Sequence, residues 1–141
     1  MVHASHDHQI FIADSGCDQT LVTNIWRVLA NTGRYVCMTG AFAGRSAGEL
    51  FPVVSAICKV VLPDGRALAL VGHEVLLDSN PHQVESLLSI HQSLRLRVNR
   101  IDDRSVYERD VRGLPGTQKA VFDKYELPFY FDGSKCFFEL S

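Results

Sequence analysis

The chain has 141 residues, of which 46% are hydrophobic and 21% charged, and its formal net charge is −2. This length suits one compact domain with its own core and is short for two. The near-neutral charge disfavours a nucleic-acid binder, because such proteins usually carry a basic stripe. Arg95, Arg97 and Arg100 do cluster, but Asp102 and Asp103 follow directly. That pattern is typical of a mixed, solvated face.

The N-terminus carries neither a membrane nor a secretion signal. No apolar run approaches the roughly 20 residues that span a bilayer, and the opening M-V-H-A-S-H-D-H is polar. We expect residues 1–8 to be flexible. His3, His6 and His8 are metal-binding residue types, but at a chain end such histidines are more often incidental. We therefore predict no metal, no cofactor and no membrane partner.

Four cysteines, Cys17, Cys37, Cys58 and Cys136, are widely spaced and form no C-x-x-C pair. This spacing indicates neither a zinc site nor a disulfide framework. Three of the four lie in apolar, strand-like surroundings, so we expect them to behave as small buried hydrophobes. A reducing, cytoplasmic location fits this use of cysteine.

The first third of the chain mixes strand and helix signals. Residues 9–13 are a short apolar strand candidate, which runs into the turn formers Asp-Ser-Gly. Apolar residues then recur at helical spacing over 22–29, with Asn-Thr-Gly at 31–33 as a stop, although 20–23 fits an extended segment equally well. Residues 34–39 again resemble a strand.

The middle of the chain predicts hairpins. The segment G-A-F-A-G-R-S-A-G at 40–48 is either an ordinary mobile loop or a hairpin tip that closes over a ligand. Residues 50–77 read as two strands joined by the turn Pro63-Asp64-Gly65. Residues 84–94 begin as a buried apolar run and continue with short helical character.

The last third begins with a polar stretch and ends in aromatic residues. Residues 99–119 are predicted to be a long excursion, with one further strand at 106–111. Residues 125–140 predict a C-terminal hairpin that turns at Asp132-Gly133, and its aromatic residues call for a partner surface. Many short strands with few helices predict a single all-β domain over 9–141, either a closed barrel or a sandwich.

This order of features resembles a retroviral-type (retropepsin-like) aspartic protease, and most closely the proteases of copia-type retrotransposons. The likeness rests on I-F-I-A-D-S-G-C at 10–17, Thr20, the glycine-rich segment 40–48 and L-L-S at 87–89. The chain departs from the usual pattern at Cys17, where alanine is common. The resemblance implies a closed barrel or sandwich with a flap hairpin and one or two short helices.

The resemblance also implies a catalytic pair of aspartates. One carboxylate activates water and the other, protonated, assists the peptide carbonyl. Asp64 and Asp132 lack the intervening serine or threonine, and Asp18 follows too closely to face Asp14 across a cleft. Only Asp14 is a credible catalytic aspartate, so the active enzyme is predicted to be a two-fold homodimer with one Asp14 from each subunit.

The remaining site residues follow from the same likeness. Ser15 would bond across the dimer axis, and Gly16 would let its backbone approach the carboxylates. Thr20 is predicted to support the turn or contact substrate, with a plain surface threonine as the alternative. The flap residues predicted nearest the substrate are Ala43, Gly44 and Ser46.

The predicted function is thus an endopeptidase that cleaves a peptide or retroelement polyprotein. The alternative is a catalytically silent module of the same fold that dimerises or binds peptides. A phosphotransferase is disfavoured, because no second aspartate lies two positions after Asp14 and no Gly-Lys phosphate cradle is present.

Overall fold

The computed structural model describes residues 9–14, 19–38, 48–89, 99–102 and 104–141. Within these ranges the chain forms strands and no helix, which confirms the all-β prediction. The strands are β1 (Ile10–Asp14), β2 (Leu21–Val22), β3 (Arg27–Met38), β4 (Glu49–Val61), β5 (Ala67–Leu77), β6 (Glu85–Ser89), β7 (Asn99–Asp102), β8 (Lys119–Phe122), β9 (Tyr125–Pro128), β10 (Tyr130–Phe131) and β11 (Cys136–Glu139).

Eight of these strands form one mixed sheet in the order β10-β11-β1-β6-β2-β5-β4-β3. β6 lies between β1 and β2, parallel to the first and antiparallel to the second. β7, β8 and β9 form a separate antiparallel sheet. Among the described residues the large sheet stays open, with β10 and β3 at its edges, so the predicted closure into a barrel is wrong for this part of the chain.

Apolar residues alternate between the two faces of the large sheet. In β1, Phe11 joins one core cluster while Ile10 and Ile12 join the other. β6 divides in the same way, with Leu88 in the first cluster and Leu87 in the second. A two-residue period places neighbours on opposite faces, so both faces of the central strands are buried.

Aromatic rings tie the two sheets together in the first cluster. Phe138 of β11 lies 5.3 Å from Phe11, 5.8 Å from Phe129 and 6.4 Å from Phe122 of the small sheet, between ring centroids. Trp26 extends the group, at 5.4 Å from Phe11. Each such pair adds roughly 0.5–1.5 kcal/mol beyond the burial of its area.

The helical prediction for 22–29 is wrong. Val22 ends β2, Trp26 lies in a turn, and β3 begins at Arg27. Val22 and Trp26 are buried, but Ile25 is 38% exposed and Leu29 is 53% exposed, so these apolar residues do not share one buried face. Pairing with β4, a contact distant in sequence, overrides the local spacing.

The predicted helix stop at 31–33 instead interrupts β3 from within. The register against β4 shifts between Asn31 and Tyr35, and Gly33 has a φ of 78°. Thr32 donates its hydroxyl hydrogen to the Val53 carbonyl at 2.8 Å. The turn-forming residues therefore produce a bulge in a long strand.

Both predicted turns join strand pairs. Pro63-Asp64-Gly65 links β4 to β5, and Asp132-Gly133 links β10 to β11. The strand predicted at 106–111 is wrong, because this region forms turns and a single bridge between Arg109 and Pro115. Its many backbone-to-side-chain contacts take the place of strand pairing.

Of the cysteines in the described ranges, Cys58 and Cys136 are buried and Cys37 is exposed. The expectation of burial is thus wrong for Cys37, which lies in β3 at the edge of the large sheet. The predicted N-terminal flexibility at 1–8 and the helical character predicted beyond 89 up to residue 94 lie outside the described residues.

Candidate active site

Asp14 is the last residue of β1. The β-favouring run I-F-I-A before it buries side chains on both faces, which fixes the strand in the middle of the sheet. β1 pairs in parallel with β6 over five residue pairs, from Ile10 opposite Glu85 to Asp14 opposite Ser89. The candidate catalytic residue therefore lies at the carboxyl end of two adjacent buried strands.

Thr20 lies at the same end of β6, on its other side. Its side chain is 5% exposed, and its Oγ1 accepts a hydrogen bond from the Ser89 amide at 3.1 Å. Its carbonyl accepts a hydrogen bond from the Leu76 amide at 2.9 Å. Thr20 is thus a buried, internally hydrogen-bonded residue rather than a surface threonine, and its support of the turn or contact with substrate stays a prediction.

The other predicted site residues lie outside the described ranges. These residues are Ser15, Gly16, Ala43, Gly44 and Ser46. Their roles stay predictions from the sequence. The described flanking residues give their attachment points, which are the end of β1 and the start of β2 on one side and the β3–β4 hairpin on the other.

The β3–β4 hairpin carries the predicted flap. Its last described pair is Met38 opposite Glu49, and Gly48 beside it has a φ of 81°, which suits glycine in a turn. Nearer the sheet, Phe51 belongs to the second core cluster and Val36 packs against it. That cluster also contains residues of β1, β2 and β6, so the base of the hairpin packs in the same core as β1.

Two other aspartates, Asp64 and Asp132, stabilise hairpin turns through hydrogen bonds to their carboxylates. Asp64 accepts hydrogen bonds from the Arg66 amide at 2.9 Å and its Nε at 2.6 Å, and these contacts lower its pKa. Asp132 accepts the amides of Ser134 and Lys135, each at 3.0 Å, which also lowers its pKa. Both are ionised turn-capping residues rather than partners for Asp14.

Asp78 is a buried carboxylate that the sequence analysis missed. It is 1% exposed, its amide donates to the Val22 carbonyl at 2.8 Å, and its Oδ1 accepts the Asn80 amide at 3.0 Å. The registers of β5, β2 and β6 align it with Glu85, four residues from Ser89. At about 3.3 Å per residue this is about 13 Å from the Asp14 end. The turn formers Asp-Ser-Asn-Pro at 78–81 were the signal for its capping role.

Hydrogen bonds and ion pairs among polar side chains stabilise the loop that follows β7. Arg104 forms two hydrogen bonds to the Asp102 carboxylate, both at 2.9 Å, and Thr117 donates its amide to the same carboxylate at 3.2 Å. Asp110 has its pKa lowered to about 2, first by the Arg112 side chain and then by the Leu114 amide. These hydrogen bonds and ion pairs hold the loop together.

Within the part of the chain that the structure describes, no group of three or more histidine, cysteine or acidic residues is placed to hold a metal ion. The same residues contain no helix long and apolar enough to cross a membrane. No protein-family model, curated protein or solved structure matches the chain. Its function is therefore argued from the geometry around Asp14 together with the sequence resemblance.

Proposed function

We propose that the chain is a retropepsin-like aspartic endopeptidase that acts as a homodimer, with one Asp14 from each subunit. One observation carries the proposal. The resemblance depends on the segment around Asp14 and on L-L-S at 87–89, and these two segments are direct neighbours in the sheet. A hydrogen bond also joins Ser89 to Thr20, which lies 69 residues away in sequence. A chance Asp-Ser-Gly turn has no reason to meet the second segment in register.

The chemistry requires two carboxylates that share one proton. Two like charges this close do not both ionise readily, so the pair titrates as a unit. The ionised Asp14 takes a proton from a water molecule, whose oxygen forms a bond to the peptide carbonyl carbon. The protonated Asp14 of the other subunit gives its proton to the carbonyl oxygen. The C–N bond then breaks as the amine nitrogen receives the proton that the first Asp14 took from water. One hydroxyl of the diol gives its proton to the second Asp14 as the carboxyl product forms, which restores the shared proton.

The β3–β4 hairpin supports a flap function for the glycine-rich segment 40–48. In this proposal the segment covers an extended peptide, binds its main chain and excludes water. Residues Ala43, Gly44 and Ser46 are the proposed substrate contacts. The proposed substrate is an unfolded stretch of a polyprotein, since only an extended chain can lie between a flap and the dyad.

The deciding experiment replaces Asp14 by asparagine. Asp14→Asn keeps the size of the side chain and removes its charge, so we expect peptide cleavage to fall by about 10³-fold or more. Asp132→Asn is the matched control, because Asp132 lies in an exposed turn, and its activity should stay within about twofold. Cleavage is measured on a precursor polypeptide with and without a statine-type inhibitor. Activity that survives Asp14→Asn would disprove the proposal.

The silent-module alternative predicts a different result. In that case the wild-type chain and Asp14→Asn both form dimers and bind a statine peptide, and neither cleaves any substrate. Calorimetric titration of the two proteins with the same peptide, beside the cleavage assay, separates the outcomes.

A further inference from the structure

Ser89 lies between Asp14 and Thr20 in the large sheet. On one side its backbone pairs with Asp14 across β1 and β6, and on the other its amide donates to the Thr20 hydroxyl at 3.1 Å. We propose that the main chain of Ser89, with the Thr20 hydroxyl as its acceptor, is a positioning element for Asp14. This inference rests on the proposed protease function and adds a residue pair to that site.

The geometry of the sheet explains why Ser89 can lie beside both β1 and the residue that precedes β2. In a strand the peptide groups of successive residues point to alternate sides, and the Ser89 amide points to the β2 side, where it meets the Thr20 hydroxyl. With strands about 4.8 Å apart, β1 and β2 lie about 10 Å from each other across β6. Residues 15–20 connect these two strands in sequence, and Ser89 at the end of β6 lies between the end of β1 and the start of β2.

Burial makes the contact between Ser89 and Thr20 specific. Ser89 is 0% exposed and Thr20 is 5% exposed, so a donor left without its acceptor there has little access to water. A buried amide without an acceptor raises the free energy of the folded state, so arrangements that break this hydrogen bond are disfavoured. The hydroxyl therefore favours one position of Thr20 relative to the end of β6, and Asp14 of β1 is in register with that same end.

The test compares two threonines of similar burial. Thr20→Val removes the acceptor and keeps the shape, and Thr20→Ser restores it. Thr23→Val is the control, because Thr23 is fully buried and donates its hydroxyl to Gln9 Oε1 at 2.6 Å, but it is aligned with Glu85 at the other end of β6.

We expect Thr20→Val to lower kcat by about 10- to 100-fold with KM within about threefold, since small misplacements of reacting groups act on the chemical step. Thr20→Ser and Thr23→Val should stay within about threefold of wild type. Equal losses in Thr20→Val and Thr23→Val would overturn the inference as a general stability effect.

A second measurement keeps the inference separate from the proposed activity. The ¹³C resonance of the Asp14 carboxyl carbon reports its surroundings whether or not the protein cleaves peptides. Thr20→Val should move this resonance, and Thr23→Val should leave it in place. If wild type cleaves nothing and the resonance moves, the protease proposal fails and the positioning stands. If the resonance is the same in both variants, the positioning fails.

Discussion

At the scale of single residues, Asp102 stabilises the polar loop after β7, which buries few apolar side chains. Its carboxylate binds the Arg104 guanidinium and both the amide and the hydroxyl of Thr117. Its pKa is lowered, first by the Arg104 side chain and also by the Arg104 and Thr117 amides. Arg104 in addition donates to the Leu114 carbonyl at 3.2 Å, so one ion pair joins three parts of the loop.

The lowered pKa values of Asp102 and Asp110 predict an acid-sensitive loop. A carboxyl whose pKa is depressed on folding contributes stability above its unfolded pKa, and that stability is lost as the pH falls through its folded pKa. With an unfolded value of about 4 and a folded value of about 2 for Asp110, the loss falls between about pH 4 and pH 2. Hydrogen exchange at the Thr117 amide, followed over this range, should show the loop opening.

Replacement of Asp102 tests the same argument at neutral pH. Asp102→Asn removes the charge that holds Arg104, and we expect it to lower the free energy of unfolding by about 1 kcal/mol. Asp123→Asn is the control, since Asp123 lies in an exposed turn with a φ of 56°, which asparagine also adopts. Similar urea midpoints for the two variants would contradict the assigned role of Asp102.

At the scale of elements, the excursion after β7 is an ordered loop in which two glycines play different parts. A Cβ on Gly116 would overlap the main-chain carbonyls of Arg104 and Ser105, whereas Gly113 has open space around it and a φ of 80°. The first position needs glycine for close approach of two backbone segments. The second needs it for a left-handed conformation.

The two glycines predict unequal costs of substitution. Gly116→Ala should lower the free energy of unfolding by about 2 kcal/mol or more, because backbone must move to admit the methyl group. Gly113→Ala should cost about 1 kcal/mol, the strain of a left-handed alanine. Urea unfolding of both variants gives the comparison. A smaller loss for Gly116→Ala than for Gly113→Ala would contradict the packing described.

At the scale of the whole molecule, Phe138 joins the two sheets. Its ring contacts Phe11 of the large sheet and Phe122 of the small one, and Phe129 stacks on it. Phe138→Leu should therefore destabilise the protein by about 2 kcal/mol. Phe131→Leu, at a ring that is 60% exposed, should change stability by less than about 0.5 kcal/mol.

The unfolding transition of these variants also tests whether the sheets unfold together. Trp26, the single tryptophan, packs against Phe11 in the same cluster and reports on it by fluorescence. We expect the fluorescence and far-ultraviolet circular dichroism transitions to coincide in wild type and in Phe138→Leu. Separate transitions in wild type would mean that the small sheet unfolds independently.

The proposed dimer makes a prediction about mixed subunits. An inactive Asp14→Asn chain should exchange into the dimer and supply a dyad with only one carboxylate. In an equal mixture, random pairing leaves about half of the wild-type subunits with a wild-type partner, so activity per wild-type chain should fall to about half. Activity unchanged by the added variant, or retained by a chain that sediments as a monomer, would exclude the shared dyad.

Local patterns in the sequence were sufficient for the all-β class and for the two clearest turns. Pro63-Asp64-Gly65 and Asp132-Gly133 combine residues that favour tight turns with apolar alternation on both sides, and both signals are contained within a few neighbouring residues. The burial of Leu87 and Leu88 was likewise readable from composition. The motif at Asp14 identified the candidate site before any geometry was known.

Tertiary structure alone decided the features that depend on distant pairing. The helical spacing at 22–29 gave way to the pairing of β3 with β4, because local propensity is weak compared with strand pairing and burial. The position of β6 between β1 and β2, and the bond from Ser89 to Thr20, join residues 69 positions apart that no local pattern connects. The sequence alone identified Asp14 as the candidate catalytic residue, and the fold decided which buried strand lies beside it.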